Sequence, residues 1–160
     1  MIINNITRLL DSKHISYTAY ELPGEKLGAE ETAAFLGLSV RLVYKTIVVL
    51  REKTGKPVLA LIPGDCELDI KALAAFLHEK KMHIPTQREA ERITGLQAGG
   101  ISPLALINKG FTNLIDHSAL DHEQIHISGG QRGLNIKIPV MALVELTHAR
   151  VAKISRLILG

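Results

Sequence analysis

The run "VYKTIVVL" (residues 43–50), followed after the turn "KTGK" by "PVLALIP" (residues 57–63), limits the possible folds of this chain more than any other stretch. Two segments rich in β-branched residues, separated by a short turn, predict a β-hairpin, so the fold is built on a sheet. Helical and extended patterns alternate around that hairpin. Ile3, Ile6, Leu9 and Leu10 recur at helical spacing and end at Lys13 and His14, after which "ISYTAYEL" alternates like a strand. Residues 29–36 predict a short helix stopped at Gly37. Asp69 can cap a helix burying Ile70, Leu73, Ala74 and Leu77, and Thr86 with Glu89 has the form of a capping box for a helix ending near Gly95. Strands are expected at "TNLI", "QIHIS" and "LNIKI", then a helix opened by Pro139 and a last strand near Val151–Ile154. The expected class is α/β (α+β), with a mixed, mostly antiparallel sheet.

The chain has 160 residues, of which 46% are hydrophobic, with no repeat, low-complexity tract or Pro/Gly-rich linker. One domain spanning 1–160 is expected, long enough to bury on the order of 70% of its unfolded surface. The net charge of +3, with 22% charged residues of mixed sign, permits a polyanionic partner but does not resemble a basic nucleic-acid arm. A single cysteine, Cys66, can form neither an internal disulfide nor a cysteine metal cluster and fits a reducing cytoplasm. The opening "MIINNITRLL" lacks a basic start and a long apolar core, and no apolar run approaches about 18 residues. A cytoplasmic protein with no membrane partner is therefore expected.

Three features could carry chemistry. Lys45 shares a strand face with Val43, Ile47 and Val49, so its ammonium stands among branched apolar side chains. It is either an edge-strand gatekeeper whose stem lies on apolar surface, or a point charge at a pocket wall. In "LQAGGISPLALINKG", Gly99 and Gly100 allow unusual backbone angles and Pro103 fixes the chain. Such a loop is either an ordinary turn or a nest of N–H donors for an anion or oxyanion. In "SGGQRGLN" (128–135), glycines surround Arg132, giving either a tight hairpin turn or a phosphate- or ribose-binding turn. Walker and Rossmann spacings are missing, as is a Gly-x-Ser-x-Gly elbow. His117, His122 and His126 lack a recognised ligand spacing, and no His–acid pair marks Cys66 as a nucleophile, so neither metal nor cofactor is expected.

In order, "VYKTIVV", "TGLQAGGISPL", "LIDHSAL" and "ISGGQRGLNI" resemble the YbaK/EbsC family of aminoacyl-tRNA deacylases and the related inserted editing domain of bacterial prolyl-tRNA synthetases. The resemblance covers nearly the whole chain. It implies one compact domain with a strongly curved sheet surrounded by helices. It also implies hydrolysis of the ester joining a wrong amino acid to tRNA, most often cysteine or alanine on proline tRNA. The implied partners are the aminoacyl-tRNA acceptor end and a prolyl-tRNA synthetase.

By this resemblance Lys45 matches the family lysine, holding the terminal phosphate or ribose. Gly99 to Pro103 match the loop that cradles the aminoacyl carbonyl, with Gly100, Ile101 and Ser102 supplying amides. Ser128, Gly129, Gly130 and Arg132 match the turn near the terminal adenosine. Thr46, Thr94 and Gly95 match neighbouring pocket positions, and Tyr20 is compatible with the pocket wall. No enzymatic Ser, Cys or metal is required: cysteine-specific members use the substrate's own thiol, and alanine-specific relatives use water. Two positions depart from the cysteine-specific pattern. Asn135 stands where an acid is expected, and Leu27 where an aromatic is frequent. The resemblance implies a trans-acting deacylase of Cys-tRNA(Pro); deacylation of alanine or another small amino acid on tRNA(Pro), or non-catalytic binding of the acceptor end, are the alternatives.

Overall fold

The computed structural model describes residues 1–159. Five short helices are stopped and started by local chemistry. The first, α1 (Asn5–Ser12), begins where Asn4 Oδ1 accepts the Ile6 and Thr7 N–H groups, and α2 (Ala29–Leu36) ends at Gly37, which takes the left-handed φ of 68°. Asp69 accepts the Ala72 N–H at 3.0 Å to start α3 (Ile70–Phe76). The Thr86–Glu89 capping box starts α4 (Gln87–Thr94), and α5 (Val140–Thr147) follows Pro139.

Ten strands accompany them among the described residues: β1 (Thr18–Glu21), β2 (Tyr44–Arg51), β3 (Val58–Pro63), β4 (Cys66–Leu68), β5 (Met82–His83), β6 (Thr112–Asp116), β7 (Gln124–Ser128), β8 (Leu134–Pro139), β9 (Arg150–Ala152) and β10 (Ser155–Leu157). Five of them form a sheet in the order β5-β2-β3-β6-β9, and three form a second in the order β1-β8-β7, while β10 pairs with β4. The expected hairpin is present, with Lys45 opposite Ile62 and Thr46 opposite Leu61. The second sheet is wholly antiparallel, but β3–β6 and β6–β9 run parallel, so the larger sheet is mixed. Where one terminal strand was expected near Val151–Ile154, the chain forms β9, turns, and continues as β10.

Strand β3 is the centre of the molecule, every one of its residues being buried. Val58, Ala60 and Ile62 face a core with Leu73, Met82 and Leu114, whereas Leu61 joins Tyr44, Ile115, Ile125 and Ile136 on the other side. Each fully buried Leu or Ile contributes about 1.5–3 kcal/mol of transfer free energy, so a strand loaded on both faces anchors both layers. An isolated parallel bridge between Val43 and His126 joins the two sheets just before β2 begins. That seam positions the site.

Candidate functional site

At the seam lies a cavity of about 250 Å³. Four segments wall it, with Thr32 of α2 beside the first: Leu22–Ala29, Val43–Thr46, Ala98–Ile101, and the hairpin between β7 and β8 with Ser128 and Asn135 at its ends. Lys45 is half-buried in the wall, with Nζ 3.5 Å from the Gly64 carbonyl oxygen and no carboxylate partner among the described residues. Tyr44 also reaches the wall, its hydroxyl 2.7 Å from Ser118 Oγ; burial pushes the phenol up to about 12, which removes it from acid–base work near neutrality.

The stretch Leu96–Ser102 is held through its backbone N–H groups, by two side chains of α4 and by one bond of its own. Thr94 Oγ1 accepts the Leu96 N–H at 3.1 Å, Glu91 accepts the Ala98 N–H at 2.8 Å, and the Gln97 carbonyl accepts the Gly100 N–H at 2.8 Å. Gly99 needs its left-handed φ of 89°. Gly100 is required for a different reason. A Cβ there would lie 2.8 Å from Gln131 Cα, so only hydrogen lets the two glycine-rich loops meet. The Gly100 N–H, already spent within the turn, leaves the expected donor set. Ser102 is fully buried, its hydroxyl accepting the Leu104 N–H, and the residue is not on the cavity wall. Gly99 and Ile101 remain on the cavity wall, and neither N–H has a protein acceptor among the described residues.

"SGGQRG" is the tight hairpin turn of one sequence reading, with the Gly129 N–H on the Leu134 carbonyl at 2.8 Å. Ser128 lines the cavity and its hydroxyl donates to the Gly99 carbonyl at 3.4 Å; Arg132 Nε donates to the Ala98 carbonyl at 2.7 Å. Gly129, Gly130 and Arg132 lie behind the wall, shaping the turn. Asn135 is on the wall, with Oδ1 2.8 Å from His126 Nδ1 in the assigned amide orientation, which leaves its NH₂ as the group free for a ligand. Burial holds the His126 imidazole below its ordinary pKa, the bond to Asn135 opposes this, and Lys137 opposite it adds to the lowering. Tyr20 faces Asn135 across β1–β8 and packs on the His126 ring at 5.5 Å between centroids, one layer behind the wall. Pro103 is buried and opens a 3₁₀ segment to Lys109.

Thr94 and Gly95 fall elsewhere. They line a separate cleft with Lys56, Lys109 and Phe111, because they terminate α4 some residues before the chain reaches the seam. Cys66 is buried in β4 outside the cavity, and burial pushes its thiol up, away from the thiolate a nucleophile needs. Among the described residues no three His, Cys, Asp or Glu side chains are placed to share a metal ion. Sequence reasoning passed over Leu22, Glu25, Thr32 and Tyr44, all on the wall; the Pro23–Gly24 turn just before Glu25 is the one local sign of a folded-back segment there.

A cavity wall that carries an unpaired cation and two unbonded backbone amides suits an ester that is already activated. The model of the aminoacyl-tRNA editing domain matches residues 25–146. The chain belongs to that family. It is 34% identical over 153 residues to the provisionally named Cys-tRNA(Pro)/Cys-tRNA(Cys) deacylase EbsC of Enterococcus faecalis, covering 94% of this chain and 92% of that protein. A proline–tRNA ligase of Thermodesulfovibrio yellowstonii is 33% identical over 123 residues, 77% of this chain but 20% of the ligase. The fold is shared with the crystal structure of a hypothetical protein, at TM-score 0.87 and 24% identity over 96% of this chain and all (100%) of that one. A provisionally named trans-editing enzyme for prolyl tRNA synthetase aligns at TM-score 0.80 and 23% identity, over 98% and 99% of the two chains. This editing domain is an aminoacyl-tRNA deacylase, a hydrolase whose substrate is charged tRNA. No helix among its described residues is long and apolar enough to cross a membrane.

Proposed function

We propose that residues 1–160 act as one trans-editing domain that hydrolyses Cys-tRNA(Pro). The observation that carries this reading is that Lys45 and the free amides of Gly99 and Ile101 lie around one cavity. The name of the EbsC relative, similar over nearly its full length, supports the amino acid and the tRNA. Lys45 holds the terminal phosphate or ribose as a compact point charge, and the two amides receive the carbonyl oxygen as it gains negative charge. The substrate's Sγ attacks its own carbonyl carbon: the S–C bond forms, the C–O bond to the ribose breaks, and the thiol proton ends on the released ribose hydroxyl. Water then opens the thiolactone to free cysteine. The enzyme contributes position and charge stabilisation throughout.

Alanine is the second reading, and Asn135 is the observation that favours it. With its carbonyl turned to His126, this wall presents a neutral amide where an acid is expected for cysteine. Alanine has no thiol, so water would attack directly. The test is deacylation of Cys-, Ala-, Ser- and Pro-tRNA(Pro) by the wild type and Lys45→Ala, with thermal unfolding of both. Cys-tRNA(Pro) should be hydrolysed fastest, and Lys45→Ala should melt cooperatively but react at least about tenfold more slowly, the worth of one charge-assisted contact. A preference for Ala-tRNA(Pro) would select the second reading. Binding of all four without hydrolysis would make the protein a non-catalytic acceptor-end module.

A further inference from the structure

Glu25 is the sole carboxylate on the cavity wall, as Lys45 is its sole cation, among the described residues. The two do not pair with each other, and neither has any other ion-pair partner. Glu25 is exposed at the cavity rim and makes no hydrogen bond among the described residues, although its segment is firmly placed. The Leu22 N–H is bonded to the Gly133 carbonyl at 2.8 Å, Lys26 Nζ reaches Gln87 Oε1 at 2.7 Å, and the Gly28 N–H is held by Glu31 at 3.0 Å. The neighbouring charges are therefore spent: Lys26 on α4 and Glu31 on its helix cap. Gly133 lets this segment come close, since a Cβ there would lie 3.4 Å from Gly24 Cα and 3.3 Å from the Leu22 oxygen.

A cavity with one unpaired cation and one unpaired anion on its wall matches a ligand with both charges, held apart by a neutral bridge. The end of a charged tRNA has that form: phosphate on the nucleotide side, ester and ribose between, and an α-ammonium beside the carbonyl. We propose that Glu25 binds the α-ammonium, so that a free amino group is a recognition element of the substrate. The inference rests on the editing reading above. Glu25 selects unmodified aminoacyl esters over N-acylated ones, which have no cation to offer and forgo the contact. With Lys45 fixing the opposite end, the two charges orient the ester between them.

The experiment compares the most rapidly hydrolysed aminoacyl-tRNA of the panel with its Nα-acetyl counterpart, using wild type, Glu25→Gln and Glu25→Asp. Each rate is divided by that substrate's uncatalysed hydrolysis, because acetylation alters the ester's intrinsic reactivity. Wild type should lose about tenfold in kcat/KM on acetylation, the worth of one charge-assisted hydrogen bond. Glu25→Gln should be slower by a similar factor on the free-amino substrate, unchanged on the acetylated one, and indifferent between them; Glu25→Asp should recover part of the preference. An undiminished preference in Glu25→Gln would overturn the role of Glu25 while leaving deacylation intact. Failure of the wild type to hydrolyse any member of the panel would remove the editing reading and this inference with it.

Discussion

Arg132 Nε donates to the Ala98 carbonyl oxygen at 2.7 Å, tying the β7–β8 turn to the loop that carries Gly99 and Ile101. The guanidinium thus acts across 34 positions of sequence as a clasp between two walls of the cavity. Arg132→Ala and Arg132→Lys should both lower stability by about 1–2 kcal/mol and the melting temperature by about 3–6 °C, since lysine keeps the charge but not the fixed Nε–H. Turnover should fall in both. Wild-type behaviour of Arg132→Lys in melting and single-turnover deacylation would show that charge alone matters at this position.

Gly100→Ala should separate the same two loops. The added methyl would meet backbone of Gln131 at 2.8 and 2.9 Å, so one loop must move, at a cost of about 1–3 kcal/mol. A displaced Ile101 amide should slow single-turnover hydrolysis by about a hundredfold, the usual loss for one oxyanion donor. Gly37→Ala is the control. Its φ of 68° strains any side chain, yet no atom lies within 4 Å of the new methyl, so about 1 kcal/mol of stability should go with turnover intact.

Cys66→Ala should remain active. The thiol is buried between β3 and α3 in sequence, pairs opposite Leu157 in the ladder to β10, and lies outside the cavity. Its loss should cost about 1 kcal/mol in chemical denaturation and leave kcat unchanged. Loss of activity in a normally melting Cys66→Ala protein would point to a thiol nucleophile and remove the positioning mechanism.

His126 makes stability depend on pH with a definite sign. Its pKa in the fold lies below the ordinary 6.5, so below that value the unfolded chain takes up a proton that the folded one refuses. The contribution is complete above pH 6.5 and is lost progressively as pH falls toward the folded value. Thermal melts between pH 7.5 and 5 should show this slope, and His126→Gln should flatten it. Asn135→Asp, by placing a carboxylate 2.8 Å from Nδ1, should raise the imidazole pKa and reverse the slope's sign.

Local chemistry was legible in the sequence. The caps at Asp69, Thr86 and Gly37 and the β2–β3 hairpin depend on residues within a few positions of one another, and all stand where the spacing puts them. Parallel pairing of β6 with β3 and β9 was not legible, because no local pattern distinguishes it from antiparallel pairing. The strands β4 and β5, three and two residues long, are too short for a period-2 signal. At the site, the order of the motifs was informative for Lys45 and the two glycine loops, which surround one cavity with Ser128 and Asn135. The separate position of Thr94 and Gly95, the spent amide of Gly100 and the presence of Glu25 all depend on how distant segments meet. A glycine required for a long-range backbone approach reads in sequence like a glycine in a turn.

The seam between the sheets also governs when the cavity exists. Its walls are drawn from residues 22–29, 43–46, 98–101 and 128–135, and the side chain of Asn4, which caps the first helix, also donates to the Gly129 carbonyl 125 positions away. The β7–β8 hairpin is the last of the wall segments to leave the ribosome, at roughly 5–20 residues per second, so the wall is incomplete until it emerges. Folding must therefore close several long loops, which slows it. The complete wall therefore waits for Asn135, its last residue in sequence.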